Sequence, residues 1–191
     1  MNKNAQAELQ KLLEGNKNFV NSTPKAYNKT MESLKELAKG QSPQAIVLTC
    51  SDSRVAPEII FDVGLGELFV VRTAGVGIGP NIIESIEFGI QELNIPLLIV
   101  LSHDNCGVIS YAKACYPKPL EDFYALMSSV YPVMGEGDSD VNIIAKKHTI
   151  FTKEVLLRRS YIIREAYAKH QLCIAKAHFS FETGKVEIIE E

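Results

Sequence analysis

The sequence predicts an α/β domain: a mostly parallel β-sheet flanked by helices, with helical arms at the N-terminus. Three observations predict it. Short runs rich in branched aliphatics recur at 45–49, 68–71 and 97–101, and near-continuous apolar runs of this length suit strands buried on both faces of a parallel sheet. Between the second and third runs, Ile82, Ile83, Ile86, Ile90 and Leu93 recur at helical spacing behind Pro80, which is tolerated in a first turn. Strand, helix, strand over this length is a βαβ unit.

The remaining elements follow in order. Residues 5–20 place Leu9, Leu12 and Leu13 on one helical face. A polar stretch with Pro24 interrupts at 21–30, and a second helical stretch over 31–40 ends at Gly40, a natural C-terminal stop. Neither helix is apolar enough to stand alone, so each must pack on the main body or on a partner subunit. A helix is expected from Gly107 to about Ala114, stopped by Pro117 and Pro119, and 131–140 reads as an exposed loop. Residues 146–168 are helical in composition. Residues 172–181 and 186–189 form a hairpin-like pair around 182–185, with Gly184 supplying the turn. The expected organisation is one domain over 1–191, with 1–40 as a helical arm that packs on the main body or on a partner subunit.

Composition narrows the function. The chain has 191 residues, 46% hydrophobic and 23% charged, an ordinary globular balance. A formal charge of −3 gives no strong positive field for a nucleic acid or an anionic membrane. No apolar run approaches the ~20 residues needed to span a bilayer, and the first ten residues lack the apolar stretch of a signal peptide. A soluble cytoplasmic protein is the expectation. In a reducing compartment its four cysteines, Cys50, Cys106, Cys115 and Cys173, read as thiols or metal ligands.

Two segments carry the chemistry. Cys50-Ser51-Asp52-Ser53-Arg54 follows the first strand, and Ser102-His103-Asp104-Asn105-Cys106-Gly107 follows the third. Ligands in open α/β sheets bind outside the carboxyl ends of strands, at a topological switch point. If the two strands are neighbours, Cys50, His103 and Cys106 converge. Two thiolates, one imidazole and one open position make a catalytic zinc site. Two thiolates cancel the charge of Zn2+, so a bound water is acidified less than at an all-histidine site. Asp52 and Arg54 are spaced to compensate, since Arg54 can grip Asp52 through a bidentate pair and keep it ionised. Asp52 then either accepts the proton of the water or swings onto the metal and shuts the site. A lone Cys at a strand end is more often a small buried hydrophobe, which is the reading given to Cys115 and Cys173. His148, His170 and His178 read as surface or core residues. The segment 75–80 fails the dinucleotide fingerprint because Pro80 stands at its sixth position. It reads as a tight turn that lets the backbone pass close to the site.

These motifs closely resemble the β-class carbonic anhydrases. Supporting matches are Glu14-Gly15-Asn16-Lys17-Asn18-Phe19, Phe69-Val70-Val71-Arg72-Thr73-Ala74-Gly75, Ser85-Ile86-Glu87-Phe88 and Glu182-Thr183-Gly184-Lys185-Val186. The resemblance implies a zinc enzyme that interconverts carbon dioxide and bicarbonate by zinc-bound hydroxide. It implies four parallel strands plus an antiparallel edge strand, in a homodimer or higher homo-oligomer embraced by N-terminal helices. By motif position Cys50, His103 and Cys106 would hold the metal, with Asp52 and Arg54 as the catalytic dyad. The plant-type branch implies substrate contacts from Gln41, Phe69 and Phe88, and Gly107 beside the last ligand. These pocket residues need not come from one chain. Ser102, Thr73 and Val108 depart from the usual Gly, Asn and Ala. Carbonyl sulfide or carbon disulfide hydrolysis on the same site is an alternative, and a non-catalytic zinc-stabilised or nucleotide-binding module is another.

Overall fold

The structure, a computed structural model, describes residues 3–25, 30–116, 122–135, 137 and 140–190. Five strands form one sheet in the order β2-β1-β3-β4-β5. They are β1 (Ala45–Cys50), β2 (Leu68–Thr73), β3 (Leu97–His103), β4 (Cys173–Phe179) and β5 (Val186–Ile188). The first four run parallel, and β5 pairs antiparallel with β4 through the turn at Gly184. Each of the first three strands extends beyond its apolar run, so Cys50 and His103 become terminal strand residues. The chain leaves β1 toward β2 and leaves β3 toward β4, on opposite sides. That reversal opens a crevice between the carboxyl ends of β1 and β3.

Every residue of β1 and β3 is buried, and alternation assigns the faces. Ile46, Leu48, Cys50, Leu98 and Val100 pack under α4 (Pro80–Gln91), α5 (Gly107–Cys115), α6 (Tyr124–Val130), α7 (Val141–Arg159) and α8 (Tyr161–Ala168). Ala45, Val47, Leu97, Ile99 and Leu101 pack under α1 (Lys3–Val20) and the single turn α3 (Pro57–Ile60). A fully buried Leu, Ile or Val stabilises by about 1.5–3 kcal/mol, so these two strands anchor both layers. Their burial on both faces is why they read as unbroken apolar runs.

The N-terminal helix is fastened to its own domain. Ala5, Leu9 and Leu12 are buried on the sheet. Buried Asn16 donates to the carbonyls of Ile60 (3.1 Å) and Gly184 (2.9 Å) and accepts from the Val186 amide (2.8 Å). Gly15 is required beside it, because a Cβ there would lie 1.8 Å from the Phe61 carbonyl oxygen. By contrast α2 (Met31–Leu37) buries none of its residues, and Met31 and Leu34 are 68% and 47% exposed.

Two expectations along the chain change. The helical stretch at 146–168 starts earlier and is two helices: Ser160 breaks it, caps α8 by accepting from the Ile163 amide (3.0 Å), and donates to Glu87 (2.6 Å). The reading of 131–140 as loop misses a 3-10 turn at Tyr131–Val133, which continues α6, itself not anticipated. Residues 136, 138 and 139 of that stretch lie outside the described residues, as do Pro117 and Pro119, although α5 ends at Cys115 as expected.

Of the histidines read as surface or core, His148 and His178 are buried and His170 is exposed. Burial pushes the His148 ring down to about 4, against a Ser129 carbonyl that draws it up. The unfolded chain therefore binds a proton near pH 6.5 that the native state refuses until about pH 4. Stability is expected to fall as pH drops through that window, by up to about 3 kcal/mol from this residue. Urea midpoints from pH 7 to 4 would show this slope, and His148→Gln should flatten it.

Candidate metal centre

The ends of β1 and β3 bring Cys50, His103 and Cys106 together, all buried, with their ligand atoms within 4.8 Å of one another. Zinc bonds of ~2.3 Å to sulfur and ~2.0 Å to nitrogen set tetrahedral edges of roughly 3.4–3.8 Å, so a small closure would complete the site. Cys106 stands at the N-cap of α5, with the Val108 and Ile109 amides nearby. Gly75 donates its amide to Cys50 Sγ at 3.3 Å. Glycine is needed there, because φ is +64° and a Cβ would meet Val108 Cγ1 at 2.5 Å. The glycine-rich turn therefore serves the cysteine site, as its sequence reading anticipated.

The histidine is oriented for a metal. His103 Nδ1 donates to the Asp104 carbonyl at 2.8 Å, which leaves the lone pair on Nε2. That Nε2 is buried without a hydrogen-bond partner. A buried polar atom in this state costs about 1–3 kcal/mol; a cation at the cluster would remove the cost. The bond from the Cys106 thiol holds Cys50 well below the usual thiol range, against burial. The same bond, followed by burial, pushes Cys106 up. One thiolate beside a thiol and a lone pair is a donor set that suits a divalent, sulfur-accepting metal.

Asp52 and Arg54 form the expected pair. Arg54 Nε donates to Oδ1 at 2.9 Å, Nη2 to Oδ2 at 2.7 Å, and the Arg54 amide to Oδ1 at 3.0 Å. These bonds hold the Asp52 carboxyl far below the usual carboxylate range, outweighing burial. Oδ2 lies 4.0 Å from His103 Nε2, at the edge of the ligand cluster. The guanidinium in turn stacks 4.2 Å above the Phe181 ring, whose centroid is 5.2 Å from that of His103.

Comparison with known proteins agrees with this geometry. The carbonic anhydrase family model matches residues 45–186. Carbonic anhydrase 2 of Mycobacterium tuberculosis is 37% identical over 193 residues, covering 96% of this chain and 92% of the relative. The chain belongs to the β-class carbonic anhydrases. Among β-carbonic anhydrase structures, a Coccomyxa enzyme in complex with acetazolamide aligns with TM-score 0.71 and 24% identity, covering 96% of this chain and 86% of that one. A tetrameric enzyme from Sordaria macrospora aligns with TM-score 0.71 and 23% identity, covering 83% and 86%.

Within this β-class fold, several participants lie outside the sequence reading. Arg72 donates to the carbonyls of Cys50 (3.0 Å) and Asp52 (2.7 Å), fixing the loop that carries the dyad. The sequence places it only within a matching motif; its position near the end of a strand is the usable signal. His178, read as a bland histidine, donates from Nε2 to Asp104 at 2.8 Å, and its Nδ1 lies 2.9 Å from Ser102 Oγ. The serine that departs from the usual glycine thus joins a buried chain ending on Asp104, the residue that orients His103. Burial opposes the Asp104 carboxylate, but bonds from His178, Ser180 and the Phe181 amide outweigh it and lower its pKa. Asp104→Ala keeps the backbone carbonyl that accepts from His103 but removes the carboxylate that His178 and the Phe181 amide hold, so zinc retention, measured by chelator competition, is expected to weaken by less than the roughly 10- to 100-fold of a direct outer partner.

The pocket residues divide. Gly107 opens α5 directly beside Cys106. Phe69 pairs in register with Ile46, four residues before Cys50, so it sits about 13 Å down the sheet from the cluster. Phe88 lies beside Phe69 at 6.4 Å and is 49% exposed, and Gln41 is exposed before β1. The chain does not bring these three to its own Cys50, His103 and Cys106.

Proposed function

We propose that the chain is a zinc-dependent carbonic anhydrase that hydrates carbon dioxide reversibly to bicarbonate, with Cys50, His103 and Cys106 holding the metal. One observation carries the reading: the buried, unpartnered Nε2 of His103 faces two buried thiols beside a carboxylate clamped by arginine. Zinc held there supplies a Lewis acid and brings the pKa of a water toward neutrality. The protein supplies the rest. Bidentate pairing keeps Asp52 ionised and fixed, so it accepts a hydrogen bond from water at the open side of the cluster. Arg54 holds Asp52 there and off the metal. Phe181 stacks on Arg54 and stiffens it.

Gln41, Phe69 and Phe88 reach a metal centre only across an interface, so the substrate pocket is completed by a second copy. The exposed Met31 and Leu34 of α2 supply an apolar surface for that assembly, consistent with the tetramer of the Sordaria relative. Residues 1–40 are thus divided, α1 serving its own domain and α2 the partner. Among the described residues no helix is long and apolar enough to cross a membrane, and free thiols at a metal site fit a reducing cytoplasm. The test is metal analysis of the purified protein beside a stopped-flow hydration assay and a hydrogen sulfide release assay with carbonyl sulfide. Stoichiometric zinc with fast hydration supports the reading. Hydrolysis of carbonyl sulfide without hydration would replace it.

A further inference from the structure

A second set of unsatisfied polar atoms lies away from the metal centre. Among the buried side-chain atoms without a hydrogen-bond partner, besides His103 Nε2, are His148 Nε2 and Thr152 Oγ1. They sit one helical turn apart on α7, their residues only 2% and 1% exposed, and both line one cavity of about 300 Å³ between α6 and α7. The neighbouring Thr149 satisfies its hydroxyl on the Ala145 carbonyl at 2.9 Å, a bond that Thr152 does not make to its own helix. His148 bonds the Ser129 carbonyl with its other nitrogen, so its buried Nε2 is a bare acceptor. Ile78, Pro132, Phe151 and Val155 give the cavity apolar walls. Arg158 and Arg159 line it as well. Arg158 lies over the Phe151 ring at 5.9 Å, and Arg159 reaches the Ile78 carbonyl at 3.5 Å. Among the described residues neither arginine forms an ion pair.

We propose that this cavity binds a small organic monoanion that carries a hydroxyl group. The hydroxyl donates to His148 Nε2 and accepts from Thr152 Oγ1, the apolar body lies against Phe151 and Val155, and the negative end meets Arg158 and Arg159. Each feature of the ligand answers a feature of the cavity. A neutral imidazole with a free lone pair needs a donor, which a carboxylate alone does not provide. Two guanidiniums without acidic partners favour an anion. A volume of this size exceeds what one or two waters need and fits a molecule of about ten heavy atoms.

The test uses the zinc-loaded protein with the metal position blocked by a sulfonamide, and 4-hydroxybenzoate as the probe in calorimetric titration. Saturable one-site binding is expected. Benzoate, which lacks the hydroxyl, and 4-hydroxybenzyl alcohol, which lacks the charge, should each bind at least about tenfold more weakly. Thr152→Val, and Arg158→Gln with Arg159→Gln, should each weaken the probe by a similar factor. Nitrogen NMR of the wild-type protein provides a readout independent of any variant: the His148 Nε2 resonance should shift as the probe is added. No saturable binding up to about 10 mM probe, equal binding of benzoate, or an unmoved His148 resonance would overturn the proposal.

Discussion

Cys106→Ser is expected to remove zinc and carbon dioxide hydration together. The substitution changes one atom, yet that atom is one of the three proposed ligands. A serine hydroxyl stays protonated at neutral pH, whereas a thiol bound to zinc is deprotonated outright. Without a metal the Cys50 bond and burial push the Cys106 thiol up, against the Val108 and Ile109 amides. Two ligands would remain, His103 and Cys50, and a two-ligand site does not retain zinc against a chelator. Affinity should fall by far more than the 10- to 100-fold typical of outer-shell changes. Zinc content after dialysis, the thiolate-to-metal absorption of a cobalt-substituted sample and stopped-flow hydration should all fall together. The fold itself should persist, because both halves of the core are held by the packing of aliphatic side chains. A Cys106→Ser protein that keeps full zinc and turnover would end the assignment of the ligand set.

Much of this was legible because the site grows from the most readable parts of the chain. β1 and β3 are buried on both faces, so their sequences are unbroken aliphatic runs, and the polar residues that follow mark their carboxyl ends. The sequence therefore places Cys50, His103 and Cys106 at neighbouring strand ends. It also pairs Asp52 with Arg54, whose two-residue spacing permits one local clamp. The glycine-rich turn was legible for the same reason, since glycine there answers a close approach to Cys50. What escaped were contacts made across long sequence separation. His178 stands 74 positions from Asp104, and nothing local distinguishes it from a core histidine. Ser102 could be seen only as a departure from a family habit, because the partner that explains it belongs to another strand. Helix α6 escaped because its seven residues carry too few turns to show a period. Gln41, Phe69 and Phe88 were legible as residues of interest but not as members of this chain's own site. Their distance from Cys50 emerges only from strand register.

Asp52→Asn should separate metal binding from turnover. Asp52 is not one of the converging ligand atoms, so zinc content should stay near the wild-type value. Its task depends on charge. An amide presents one acceptor and one donor where the carboxylate presents two acceptors, and Arg54 brings three N–H groups to that position. At least one of those donors would then face an NH2 group, and the bidentate clamp would open. With the clamp lost, the acceptor that orients water at the open side of the cluster is no longer fixed. Turnover should drop about 10²- to 10⁴-fold, the range expected when a positioned proton-handling group is removed. Arg54→Lys makes the complementary change. It keeps a positive charge but loses the fork, so Asp52 stays ionised and becomes mobile. Its loss should be smaller than that of Asp52→Asn. The double variant should be no worse than Asp52→Asn alone, because a pair that acts as a unit is not additive. Equal zinc content with additive losses in the double variant would mean that the two residues act separately, and the dyad would dissolve into two unrelated contacts.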